Sequence, residues 1–313
     1  MTAAVFSSRT LFPLPPTPLV PVQLDPSLSP VWCKLEYLNP SGSTKDRIAR
    51  YILEKARRQG RVQIGDLVAE ASSGSTSIAM AAACAQLGLR FIAVMPEGVS
   101  NERGLMIRGY GGEVRFSPKA DGILGAIAEV ERLGRENGAF LPRQFSNPDN
   151  AESHRFGTAR ELLDQLPGGA IDAVVSGVGT GGTLVGLYRG LSEAGCGVVP
   201  VHARPVNLVG TPDAECCSFS ARIPGVADRI SQIFNDAELP GLVTIEVNDE
   251  DAMTATRQLI KLGFPVGPSS GLNFVAAEMY LRQRGEKNLR VCTVFADRME
   301  RYFTTELFRP YTS

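Results

Sequence analysis

Apolar and polar positions fall into alternating blocks along this chain. The apolar runs LVAEA, RFIAVMP and AIDAVVSG have the compactness of buried strands. Each is followed by a segment with helical spacing, namely SIAMAAACAQLG, NERGLMIRGYG and TLVGLYRGLSEAG. Strands alternating with helices predict an α/β fold with a parallel sheet, because a chain needs a crossover to return in the same direction. In NPSGSTKDRIARYILEKA, Asn39 to Ala56, turn-like spacing gives way to helical spacing, and a single lysine, Lys45, stands at the junction. The segment Gly210 to Ile223, GTPDAECCSFSARI, is the least regular and reads as a surface excursion.

In open parallel sheets, ligands bind at loops leaving the carboxyl ends of strands, and three loops here carry candidate chemistry. In VVSGVGTGGTLVGLYRGL a strand ends near Ser176, Gly177 to Gly182 read G-V-G-T-G-G, and a helix begins near Thr183. Glycines admit an anion close to the backbone, and the helix start offers free N–H groups, so the loop suits a phosphate; tightness of the turn alone is the other reading. The run also satisfies GxGxxG, but a dinucleotide site wants an acidic residue at the end of the next strand. That strand, VVPVHARPV, brings His202 and Arg204, which leaves an NADP-type site as a minor alternative.

The second loop, EASSGSTSIAMAAA, sets hydroxyl residues around Gly74 at a helix start, which makes either a carboxylate clamp or an ordinary cap. The third, FPVGPSSGLNFVAAEMYL, offers the pair Ser269 and Ser270 where one cap would suffice. A phosphate site, a carboxylate site and a lysine able to form a Schiff base together describe a pocket for pyridoxal phosphate holding an amino acid.

Composition narrows the partners. The 313 residues carry 32 Lys plus Arg against 33 Asp plus Glu, a net charge of -1, without a dense basic run for nucleic acid. Six cysteines without a CxxC pair, and only two histidines, His154 and His202, argue for a reducing cytoplasmic setting and no metal site. The vicinal Cys216 and Cys217 read as ordinary thiols. Prolines break the N-terminal apolar stretch, so it is no signal peptide, and no run reaches the roughly 18 apolar residues of a membrane helix.

Several of these motifs, in order, resemble the cysteine synthase and cystathionine β-synthase family of fold-type II pyridoxal-phosphate enzymes, from TPLV at Thr17 to DRMERYFTTELF ending at Phe308. KLEYLNPSGSTKDR resembles the family's lysine motif, which implies that Lys45 carries the cofactor and moves the substrate's α-proton. GVGTGGT resembles the phosphate cup and implies phosphate contacts from Gly179, Thr180, Gly181, Gly182 and Thr183. GPSSG implies that Ser269, with Ser270 as fallback, faces the pyridine nitrogen. QFSNPDN implies that Gln144 holds the substrate carboxylate with Ser72, Ser73 and Thr76.

Two departures stand out. Where the family usually reads TSGNTG, this chain reads SSGSTS, so a shorter Ser75 replaces the asparagine beside the cofactor. In RIPGVADRI only Gly225 aligns with the family's glycines beside the incoming nucleophile.

The resemblance implies a tryptophan synthase β-like fold of two α/β domains, 36–147 smaller and mobile, 1–35 with 148–313 larger, and a homodimer. It implies β-replacement on O-acetylserine or O-phosphoserine through an aminoacrylate, with sulfide or a thiol giving a cysteine-like product. The alternatives are an amine nucleophile giving a 2,3-diaminopropionate derivative, β-elimination to pyruvate and ammonia as in a cysteine desulfhydrase, and a catalytically idle regulatory homologue.

Overall fold

The computed structural model describes residues 10–311 apart from 167, 207–221, 225 and 227–229. Most of the irregular segment from Gly210, with Cys216 and Cys217, and also Gly225 and Arg229 lie outside the described residues.

The strands in chain order are β1 (Leu19–Val22), β2 (Val31–Lys34), β3 (Leu67–Ala71), β4 (Arg90–Pro96), β5 (Glu113–Ser117), β6 (Ala173–Gly177), β7 (Val199–Val206), β8 (Val243–Asn248) and β9 (Val291–Val294). The helices are α1 (Lys45–Arg58), α2 (Ser75–Leu87), α3 (Asn101–Gly109), α4 (Gly122–Asn137), α5 (Asp149–Ser153), α6 (Ala159–Gln165), α7 (Gly182–Glu193), α8 (Asp249–Lys261) and α9 (Pro268–Arg284). Each expected strand and helix is present.

Six strands form one sheet in the order β1-β2-β9-β6-β7-β8, and three form another, β3-β4-β5. Every pairing is parallel except β1 with β2 at the edge of the larger sheet. The fold is the expected parallel-rich α/β arrangement.

The near-continuous apolar strands follow from burial on both faces. In β6, Ala173 and Val175 pack towards α8 and α9, whereas Val174 packs with α6 and α7. In the smaller sheet, Val68, Phe91, Ala93 and Met95 face α1 and α2, while Ala69, Ala71, Ile92 and Val94 face α4. Helix α2 is buried on nearly all sides, which explains its alanine-rich composition: small side chains let it lie close to both α1 and the sheet. By contrast α1 buries one stripe, Ile48, Ala49, Ile52, Leu53 and Ala56, at helical spacing.

A buried ionic cluster fixes the start of α1. Arg47 makes two hydrogen bonds of 2.6 Å to the Glu36 carboxylate and bonds of 2.6 and 2.8 Å to Glu161 on α6. Thr17 Oγ1 donates to Glu36 at 2.7 Å, and Lys34 on β2 pairs with Glu161 at 2.7 Å. Burial alone would raise the Glu36 carboxyl, but Arg47 and the Thr17 hydroxyl hold it at about 2, below its usual 4.5.

Removing one partner strands the others without water, so Arg47→Met is expected to lower the unfolding free energy by about 3–5 kcal/mol in urea titration. Because the folded Glu36 pKa is depressed, its contribution is present above pH 4.5 and is lost as pH falls towards about 2. An Arg47→Met protein as stable as the wild type would refute this role.

Candidate active site

The carboxyl ends of both sheets open onto one cavity, lined by residues from each of the three loops and by Lys45. Its walls are built from helix beginnings. Helices α2, α7 and α9 start at Gly74, Gly181 and Gly267, glycines that bring no capping side chain, and of the first-turn N–H groups of α2 the Ser77 N–H is taken by Ser72 Oγ. Uncapped helix starts leave backbone donors and positive dipole ends available to anions.

Lys45 is the first residue of α1. The preceding turn is tied to the larger sheet by the Thr44 N–H, which donates to Ala296 O at 2.8 Å, and by a bridge between Ser43 and Asp297. The Lys45 amine lines the cavity and makes no hydrogen bond or ion pair among the described residues. Burial pushes its pKa from 10.5 down to about 8, and the negative charge of Asp297 resists that fall. A neutral amine in a polar cavity is a nucleophile and a base.

At the start of α7, Gly179, Thr180, Gly181 and Thr183 line the cavity. Gly181 has φ of +80°, and a Cβ there would stand 2.6 Å from Phe234, so the bend admits only glycine. Gly182 is placed differently: it does not line the cavity, and a Cβ on it would collide with Asn150 at 2.0 Å. Asn150 donates from Nδ2 to Thr180 Oγ1 at 2.8 Å and to the Gln144 carbonyl at 2.9 Å, joining two walls. His154, held neutral because burial drives its pKa to about 3, lies 3.3 Å from the Thr183 hydroxyl through Nε2.

Ser269 and Ser270 separate cleanly. Ser269 lines the cavity, while Ser270 is fully buried and its Oγ accepts the Ala296 N–H at 3.0 Å.

Ser72, Ser73, Ser75, Thr76 and Gln144 all line the opposite wall, yet most of their polar groups are already engaged. Ser72 Oγ accepts the Gly74 N–H at 2.8 Å and the Ser77 N–H at 3.3 Å. Thr76 donates to Gln144 Oε1 at 2.5 Å, and Gln144 Nε2 donates to Ala71 O at 2.6 Å. Behind them burial raises the Glu70 carboxyl to about 8, although it accepts the Ala71 and Gln144 N–H groups. Ser75 Oγ turns to Asp297 Oδ2 at 3.0 Å, which also accepts the Tyr302 hydroxyl at 2.7 Å.

Four site residues escaped the sequence reading. Asp297 and Tyr302 lay in a quoted motif, but their spacing carries no sign that they converge on Ser75. Asn273 joins the carboxyl ends of β6 and β9 to α9, accepting the Gly177 N–H at 2.7 Å and donating to Val294 O at 2.9 Å. Arg103 lines the cavity from α3, having read as one charge in a helical pattern. Arg204, which left the NADP-type alternative open, does not line the cavity and pairs with Glu246, and Arg222 pairs with Glu250 and Glu306. Among the described residues no cluster of His, Cys, Asp and Glu is suited to a metal ion, and no helix is long and apolar enough to cross a membrane.

Residues 11–297 match the family model described as pyridoxal-phosphate dependent enzyme. The chain is 36% identical over 301 residues to a cysteine synthase of Staphylococcus aureus, covering 93% of this chain and 94% of that one. Among solved structures it resembles an O-ureido-L-serine synthase with a TM-score of 0.84 and 32% identity, covering 96% of each chain. A hydrogen sulfide-producing enzyme of Fusobacterium nucleatum superimposes with a TM-score of 0.80 and 30% identity, over 91% of this chain and 96% of that one. The group these relatives share fits the cavity: an unpartnered amine stands among uncapped helix starts able to take a phosphate and a carboxylate.

In protein stripped of small molecules, acylation of Lys45 by a neutral reagent is expected to rise with pH about a midpoint near 8, and Asp297→Asn to move that midpoint lower. A midpoint at the ordinary lysine value would contradict the desolvated amine; peptide mapping by mass spectrometry reads the site.

Proposed function

This chain belongs to the pyridoxal-phosphate-dependent enzymes and is of the cysteine synthase type, acting on serine derivatives by β-replacement or β-elimination; within that range we propose β-replacement. The donor is an activated L-serine, O-acetylserine or O-phosphoserine, and sulfide or a small thiol displaces its β-substituent to give cysteine or a cysteine-like amino acid. The observation that carries the proposal is the Lys45 amine, partly neutral near physiological pH and unpartnered, between helix starts suited to two different anions.

When bound, pyridoxal phosphate supplies an aldehyde that an amine can attack and a conjugated ring that takes up the charge left at the α-carbon. Lys45 would hold it through Nζ, and the same amine, when free, would take the substrate's α-proton. Gly179, Thr180, Gly181 and Thr183 bind the phosphate with the α7 N–H groups, and Gly182 contributes by letting Asn150 approach. Ser269, which lines the cavity, would serve the ring nitrogen as a neutral partner. Ser72, Ser73, Thr76 and Gln144 shape the α2 start into the carboxylate seat, with their mutual bonds keeping it rigid.

Ser75, held by Asp297 in the cavity wall, would stand beside the cofactor. Gly225 remains the proposed neighbour of the nucleophile. Residues 36–147 close over the larger domain to exclude water, and the enzyme works as a cytoplasmic homodimer.

Elimination is the second reading. Likeness to a hydrogen sulfide-producing enzyme favours it, and so does the Ser75 hydroxyl committed to Asp297. Water then completes the reaction and pyruvate accumulates.

The two are separated by supplying O-acetylserine with and without sulfide and measuring cysteine against pyruvate. Replacement predicts cysteine as the main product with sulfide present; pyruvate at an unchanged rate in both conditions would overturn it. Lys45→Ala is expected to reduce turnover on the order of 10³-fold or more.

A further inference from the structure

We propose that Arg103 supplies the positive charge that holds the substrate carboxylate at the start of α2, an inference that rests on the amino-acid reading of the site. Arg103 is 4% exposed, yet no carboxylate among the described residues pairs with it. Its Nη1 donates to Ser73 O at 2.7 Å, its guanidinium lies 5.3 Å from the centre of the Tyr302 ring, and its Nε has no partner. A buried charge without a counter-charge is costly, and the protein avoids that cost elsewhere: Arg47 and Lys34 share two glutamates. Arg301, also buried, lies near the Asp46 carboxylate and does not line the cavity. Arg103 does line it, so an anion entering the cavity completes the pair.

The geometry favours the carboxylate over any other anionic group of a substrate. Arg103 is built into the α2 loop: Gly74 has φ of +152°, and a Cβ there would stand 2.3 Å from Arg103 Cδ. The adjacent Glu102 directs its carboxylate to Thr304 on the C-terminal segment and makes no ion pair with Arg103. The hydroxyls of Ser72 and Thr76 are engaged within the wall, so the Ser73 hydroxyl, backbone donors and the helix dipole are what that loop has left for an anion. A full positive charge behind the Ser73–Gly74 peptide adds to that dipole and makes the seat selective for a carboxylate.

The test titrates enzyme loaded with pyridoxal phosphate with L-alanine and with L-alaninamide, reading binding from the cofactor's visible absorption. Arg103→Met is expected to weaken L-alanine by about ten- to hundredfold while changing L-alaninamide by less than about threefold. Arg103→Lys, which keeps the charge, is expected to retain most of the preference. Each comparison is internal to one variant, so a loosened fold does not imitate the result. Equal losses for both ligands would reduce Arg103 to a brace, and an unchanged L-alanine affinity with selective loss of turnover on O-phosphoserine would assign it to a distal anion; either overturns the proposal. Wild-type protein that takes up no pyridoxal phosphate would instead overturn the underlying amino-acid reading, whatever the variants do.

Discussion

The placement of Arg47 between Glu36 and Glu161 is the constraint on which the site depends. A lysine serves as a nucleophile only if its backbone is fixed while its amine stays free, and in a helix's first turn these demands compete. Here they fall on different residues. Arg47, two positions beyond Lys45, takes both glutamates and ties α1 to the segment after β2 and to α6. Lys45 is left with its backbone held and its amine unpartnered among the described residues.

The same economy runs through the rest of the cavity. Three helices begin there at glycines, which a folding argument alone would disfavour, since a capping side chain at that position stabilises a helix by about 1 kcal/mol. The polar side chains around them bond within the walls. Ser72 braces its own loop, Thr76 and Gln144 lock together, and Asn150 ties Thr180 to the Gln144 backbone. The backbone donors remain for ligands, and the walls that present them are stiff. Asp297 joins the two sides, receiving Ser75 from the α2 start and Tyr302 from the C-terminal segment while its charge bears on Lys45.

Much of this was legible in the sequence because strand and helix periods, glycine-rich turns and a lysine at a turn-helix junction are local signals. Lys45, Ser269 and the α7 glycines announced themselves that way. What escaped depends on partners distant in the chain. Arg47 reads as a solvated charge in a first turn, yet one of its glutamates lies 114 residues away. Gly182 reads as one more cavity glycine, but the phase of α7 turns it under Asn150. Gln144 is expected from the sequence to help hold the substrate carboxylate, and its amide is bonded to Thr76 and Ala71, a pairing across the chain that no local pattern announces. Arg103 carried no signal, because burial without a counter-charge is a tertiary property.

The central claim is that Lys45 is the residue to which the cofactor is attached. It is tested most directly by loading the protein with pyridoxal phosphate, reducing it with borohydride and mapping the pyridoxyl group by peptide mass spectrometry. The account predicts a single modified peptide, the one containing Lys45. A pyridoxyl group on another lysine, or none on a protein that has taken up the cofactor, would contradict it.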